Sequence, residues 1–194
     1  MNQARLFVVA WVVVVSMSAV AAQSADHDPT PDCPHAAQAA EASASPSPYA
    51  GEQDRAIKAL SAEQREQLLA GHGMGLARAA ELNRFPGPKH VLELAEDLEL
   101  TPRQVEATQK IFDRMHQRAQ TLGQQVIERE AALDALFAAG AIDESSLTAA
   151  VRELGRLQGE LRLAHLQAHL EMRAQMTDTQ VRRYDQLRGY AHTP

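Results

Sequence analysis

The chain has 194 residues, a formal net charge of -6, 45% hydrophobic residues and only 4% aromatics. That length holds one ordinary domain plus export and linker segments, and the acidic balance gives no electrostatic case for a nucleic-acid partner. After Ser61 the residues are mostly Ala, Leu, Glu, Gln and Arg, so an all-α fold is expected.

Arg5, the apolar run Leu6 to Val20 and the small-residue pattern Ala19-Val20-Ala21 predict a cleaved secretory signal peptide over 1–22. An uncleaved membrane anchor is the alternative for a run of this length. Residues 23–49 are Ala, Ser, Pro, Asp and His without apolar periodicity, which predicts a disordered linker. It contains Asp26-His27-Asp28 and Asp32-Cys33-Pro34-His35, metal-capable groups in what reads as a solvated tail. Cys33 is the single cysteine, which excludes an intrachain disulfide and leaves an intermolecular one, a metal ligand or an idle thiol.

The helical domain is expected over 50–190, followed by a short tail, 191–194. Ser61 opens a short helix that Gly71 closes. Gly71-His72-Gly73-Met74-Gly75 has no preceding strand and no following Lys-Ser/Thr, so it reads as a turn and not as a nucleotide loop. Further short helices are predicted over Leu76 to Asn83 and Lys89 to Glu99, separated by Pro86-Gly87-Pro88.

Leu100-Thr101-Pro102-Arg103-Gln104-Val105 is a helix start signal in every position. Thr101 is the N-cap, Gln104 completes a capping box, Pro102 suits N1, and Leu100 with Val105 forms a hydrophobic staple. The pattern recurs at Met176-Thr177-Asp178-Thr179-Gln180-Val181.

Between the two boxes a long helix is predicted from Pro102 to about Ala138, with a seven-residue apolar repeat. Val105, Phe112, Ala119, Val126 and Leu133 form one row; Thr108, Met115, Leu122 and Leu136 form the other, with Arg129 as the one misfit. Ala139-Gly140-Ala141 turns the chain into a second rod, whose seam is Leu147, Ala150, Leu154, Leu157, Leu161, Ala164 and Ala168. An antiparallel hairpin follows, in which residues lie level when their numbers sum to roughly 281. By that relation Gly123 lies near Gly155 and Gly159, which predicts a close approach of the two backbones.

His165 and His169 stand four residues apart on one helical face, and Met172 follows one turn on. Two imidazoles at that spacing chelate one ion and a thioether adds a soft ligand; His116 on the first rod lies level with His165. The alternative is four ordinary packing or surface residues. His72, Met74 and His90 are further donors that no spacing argument joins to the rods. A non-enzymatic role is expected, because no nucleophile has a plausible setting and no His-Glu-x-x-His pattern is present.

The signal peptide, the helical chain and the boxes Leu100-Thr-Pro-Arg-Gln104 and Met176-Thr-Asp-Thr-Gln180 together resemble the LTxxQ family of periplasmic proteins, with Met176 in place of Leu in the second box. That family includes the Spy and CpxP envelope-stress chaperones and relatives that sense or buffer heavy metals. The resemblance implies a hooked hairpin that dimerises into a cradle. It also implies metal ligands on the hairpin helices, as with His165, His169 and Met172. The resulting expectation is a stress- or heavy-metal-responsive protein that binds a divalent ion (zinc, nickel or copper), which its folding does not require. Its expected partners are a second copy and a membrane-bound signalling protein. The alternative is an ATP-independent holdase for unfolded periplasmic proteins.

Overall fold

The computed structural model describes residues 46–190. The expected signal peptide, most of the linker with Cys33 and its His/Asp motifs, and the tail 191–194 lie outside the described residues. The described residues form helices and turns without a strand, apart from one isolated bridge between Ile57 and Leu60. None of their helices is long and apolar enough to cross a membrane.

Helix α1 (Ala62–Leu69) begins at a Ser61 capping box and ends where Gly71, at φ +64°, lets its own N–H and that of His72 return to the carbonyls of Leu68 and Gln67. Helix α2 (Arg78–Glu81) is a single turn and α3 (Pro88–Glu93) is short, so both expected helices are cut back. After α3 the backbone leaves helical geometry at Leu94, and Glu99 at φ +50° stops the segment. The apolar face survives the change: Val91 and Leu98 are buried and Leu94 packs beside them.

The two rods are α4 (Pro102–Ala138, 37 residues) and α5 (Glu144–Gln175, 32 residues), packed along each other as an antiparallel pair. Gly140 at φ +61° closes α4 as Gly71 closes α1, and Asp143 caps α5 in a box with Ser146. The ion pairs Arg118–Glu160 and Arg114–Glu171 cross between the rods at the heights the hairpin relation predicts. Helix α6 (Asp178–Leu187) turns off at the Thr177 box.

Both predicted capping boxes are present, and they meet. Gln104 Nε2 donates to Gln180 Oε1 and to the Gln175 carbonyl, both at 2.9 Å, while Gln180 Nε2 donates back to Gln104 Oε1 and to the Leu98 carbonyl, both at 3.3 Å.

Two apolar clusters fill the seam. One holds Leu68, Ala119, Leu122, Val126, Leu157, Leu161 and Ala164; the other holds Val91, Leu98, Ile111, Ala168, Met172, Met176, Val181 and Tyr184. Met115 packs against both. Ile111 was absent from the predicted seam and Phe112 was in it. A straight α-helix drifts from a seven-residue repeat, and α3 and α6 supply an extra apolar surface here, so Ile111 turns inward and Phe112 is left half-buried.

The glycine expectation is corrected. A Cβ on Gly123 would lie 2.3 Å from the Leu68 carbonyl oxygen, so this glycine admits the end of α1 and not the opposite rod. Gly155 and Gly159 are exposed and face open space.

Candidate metal centre

Docking α1 onto α4 through Gly123 carries the turn Gly71–Gly75 over the rods. A second turn, Pro86-Gly87-Pro88, crosses α5. Between these turns, α2 and the rods lies a cavity of about 560 Å³. All five described histidines line it: His72, His90, His116, His165 and His169. Their sequence positions span almost a hundred residues, and the fold alone gathers them.

Two imidazoles on the rods are each matched by a glycine. A Cβ on Gly71 would come within 3.0 Å of His116 and one on Gly87 within 2.9 Å of His169, whereas one on Gly73 would meet His165 at 3.8 Å, an ordinary contact. Gly71 and Gly87 therefore leave room for two rings; the sequence showed them only as helix breakers.

Backbone carbonyls fix two of the rings. His116 Nε2–H donates to the Ala70 carbonyl at 2.8 Å, and His169 Nδ1–H donates to the Phe85 carbonyl at 2.7 Å. Each ring therefore spends one N–H on a carbonyl, and His116 Nδ1 and His169 Nε2 are the nitrogens not engaged in those bonds. Phe112 stacks on His116 with ring centroids 5.3 Å apart and planes 11° from parallel.

His165 is only 5% exposed, and its Nε2 is buried without a hydrogen-bond partner. Burial, and then the nearby His169 and His116, push its pKa down to about 4, so it is neutral and a free donor at neutral pH.

Glu81, at the end of α2, has no counterpart in the sequence reading. Its Oε1 accepts from the Tyr184 hydroxyl at 2.7 Å and lies 3.6 Å from Arg188 Nε. Its Oε2 lies 3.7 Å from His169 Nδ1 and is buried without a hydrogen bond. Burial, with the Glu81 carboxylate beside it, holds the Tyr184 hydroxyl protonated far above its ordinary range. His90 at the rim bonds to Glu93 at 2.8 Å, which lowers the Glu93 pKa.

His116, His165 and His169 are thus brought to one cavity, as the hairpin relation implies. Met172 is not among the lining residues. It is 1% exposed in the core cluster with Val91, Val181 and Tyr184, because α3 and α6 cover α5 at that turn. The thioethers that do line the cavity belong to Met74 and Met115. The capping residues Thr101, Gln104, Thr177 and Gln180 lie outside it.

The donors fit a transition metal in kind: imidazole nitrogens, one carboxylate oxygen and thioethers; of the three buried unsatisfied atoms on lining residues, His165 Nε2 and Glu81 Oε2 are metal-capable and Arg188 Nε is not. Among the described residues no three His, Cys, Asp or Glu side chains already converge closely enough to hold an ion. As they stand, the donors of the cavity are too far apart for three of them to hold one ion.

A family model described as heavy-metal resistance matches residues 68–183, a span that includes the five described histidines, Glu81 and both rods. No curated protein and no solved structure matches the chain.

Proposed function

Since this chain belongs to the heavy-metal resistance family, we propose that it is an exported protein that senses or buffers divalent transition-metal ions in this cavity, with His165, His169, His116 and Glu81 as ligands. One observation carries the reading: His165 Nε2 and Glu81 Oε2 are buried donors without partners, in a cavity where two more imidazoles each have one nitrogen not engaged by a carbonyl. Unpaired buried polar atoms are costly, and a cation offsets that cost while gaining ligands. The bound ion supplies positive charge that neutral imidazoles and one carboxylate share. Nitrogen and carboxylate donors suit zinc, nickel or copper, and Met74 and Met115 add softer contacts.

The ligands come from three elements, α2, α4 and α5, with the Gly71–Gly75 turn above them. Drawing them together favours the closed arrangement of the turns over the rods, and a partner at the membrane would read that state. Thermal unfolding with zinc, nickel or copper tests this. At an ion concentration a hundredfold above Kd, stability rises by about 2.7 kcal/mol, and His165→Ala/His169→Ala abolishes the rise. Identical midpoints with and without every ion would refute the reading.

A second reading, the holdase, draws on the outer face of α5. There Val151, Leu163 and Leu170 are 52%, 45% and 61% exposed in a row with Gly155 and Gly159. Such a face suits weak apolar contacts with unfolded clients or with a second copy. Protection of a denatured client from aggregation in the presence of chelator supports it; no protection removes it.

A further inference from the structure

We propose that Tyr184 is a positioning residue for the metal centre, orienting Glu81 as a ligand and so coupling the cavity to the C-terminal helix α6. The proposal rests on the reading that a metal ion binds in this cavity.

Nothing in α2 itself orients Glu81. The helix is one turn long, has no side-chain cap, and Glu81 is its last residue. The carboxylate is instead divided between two neighbours. Oε1 faces α6, where Tyr184 donates at 2.7 Å and Arg188 stands at 3.6 Å. Oε2 is left on the side of His169, buried and unbonded. A carboxylate with one oxygen held by a donor presents the other in a fixed direction, as His169 does once Phe85 holds its Nδ1.

Tyr184 is suited to this because it cannot move independently. It is fully buried among Val91, Met172 and Val181, and its helix starts at the Thr177 capping box. The adjacent Asp185 accepts from Arg84 at 3.0 Å, tying the segment after α2 to α6 a second time. A shift of Glu81 toward an ion is therefore felt by α6 through the hydroxyl, and a shift of α6 alters the carboxylate.

The test is a cobalt(II) titration of the purified protein, read by the visible absorption of the bound ion. Tyr184→Phe keeps the packed ring and removes the hydroxyl, which donates to Glu81 and toward which the Gly87 backbone N–H is directed. We expect it to bind cobalt at least tenfold more weakly, with its spectrum displaced in the direction that Glu81→Gln produces. In a Glu81→Gln background, Tyr184→Phe should cause no further loss. Unchanged affinity and spectrum in Tyr184→Phe, or losses that multiply in the double variant, would overturn the proposal. If Tyr184→Phe does not fold, Glu81→Gln alone decides, since wild-type affinity in that variant overturns it equally. A wild-type protein that gives no cobalt signal refutes the metal reading itself, whereas wild-type binding that Tyr184→Phe leaves intact refutes only the role of Tyr184.

Discussion

The two ends of the hairpin share one apolar repeat and differ in everything else. At the turn end no helix covers α4 and α5; the segment before α1 reaches Asp134 through Lys58 at 3.8 Å, and Phe137, Leu147 and Val151 remain exposed. At the other end α1, α3 and α6 cover the rods, Val91, Thr108 and Tyr184 are fully buried, and every described histidine faces one cavity. A two-helix seam makes a rod, but it buries too little to keep polar atoms from water. The covering layer is what leaves His165 Nε2 and Glu81 Oε2 without partners, and hence what gives one end a binding potential that the other lacks.

The most severe way to break this contrast is Gly123→Ala. The added methyl meets the Leu68 backbone, which cannot swing aside as a side chain would, so α1 must lift from α4. We expect a loss of about 3 kcal/mol or more in urea unfolding, at the upper end for overpacking. Hydrogen exchange should accelerate around the cavity and stay unchanged near Gly140. An unaltered midpoint would mean that α1 does not depend on this contact.

Acid sharpens the contrast. His165 titrates at about 4 in the folded protein against 6.5 when unperturbed. Between those values the unfolded state binds the additional proton, so stability falls as pH drops from 6.5 and the loss is complete near 4. For the metal-free protein that amounts to at most roughly 3 kcal/mol. Urea midpoints at pH 7 and 4.5 measure it, and His165→Leu should flatten the difference. An equally steep fall in that variant would assign the acid sensitivity elsewhere.

The mildest probe addresses the outer face of α5. Gly155→Ala and Gly159→Ala add a methyl in open space, and each should stabilise the isolated chain by about 0.5–1 kcal/mol. A loss instead would show that another chain covers this face.

The rods were legible in the sequence because each of their signals is local. Thr101 with Gln104, Thr177 with Gln180, Gly71 and Gly140 all act within a few residues of themselves. The level of His116 with His165 follows from the turn position alone. The rest depended on contacts between segments far apart in the chain. Met172 has the right helical phase for a ligand, yet the neighbouring elements that bury it cannot be read from α5. Glu81 carries no periodic signal, and its partners Tyr184 and His169 lie about a hundred residues on. Gly71 and Gly87 are breakers locally; only the folded chain shows that each one accommodates an imidazole.

The pairing of Gln104 with Gln180 also bears on which residue each capping box can use. At the third helical position a capping box accepts glutamate as readily as glutamine. A reciprocal pair needs a donor and an acceptor on each partner, and two carboxylates there would repel. The amides thus act like a pin through two rulers. A slip of one helical turn, about 5.4 Å, would unseat them and carry His165 and His169 out of line with His116. The motif touches no part of the cavity, yet it calibrates the alignment of the residues that do.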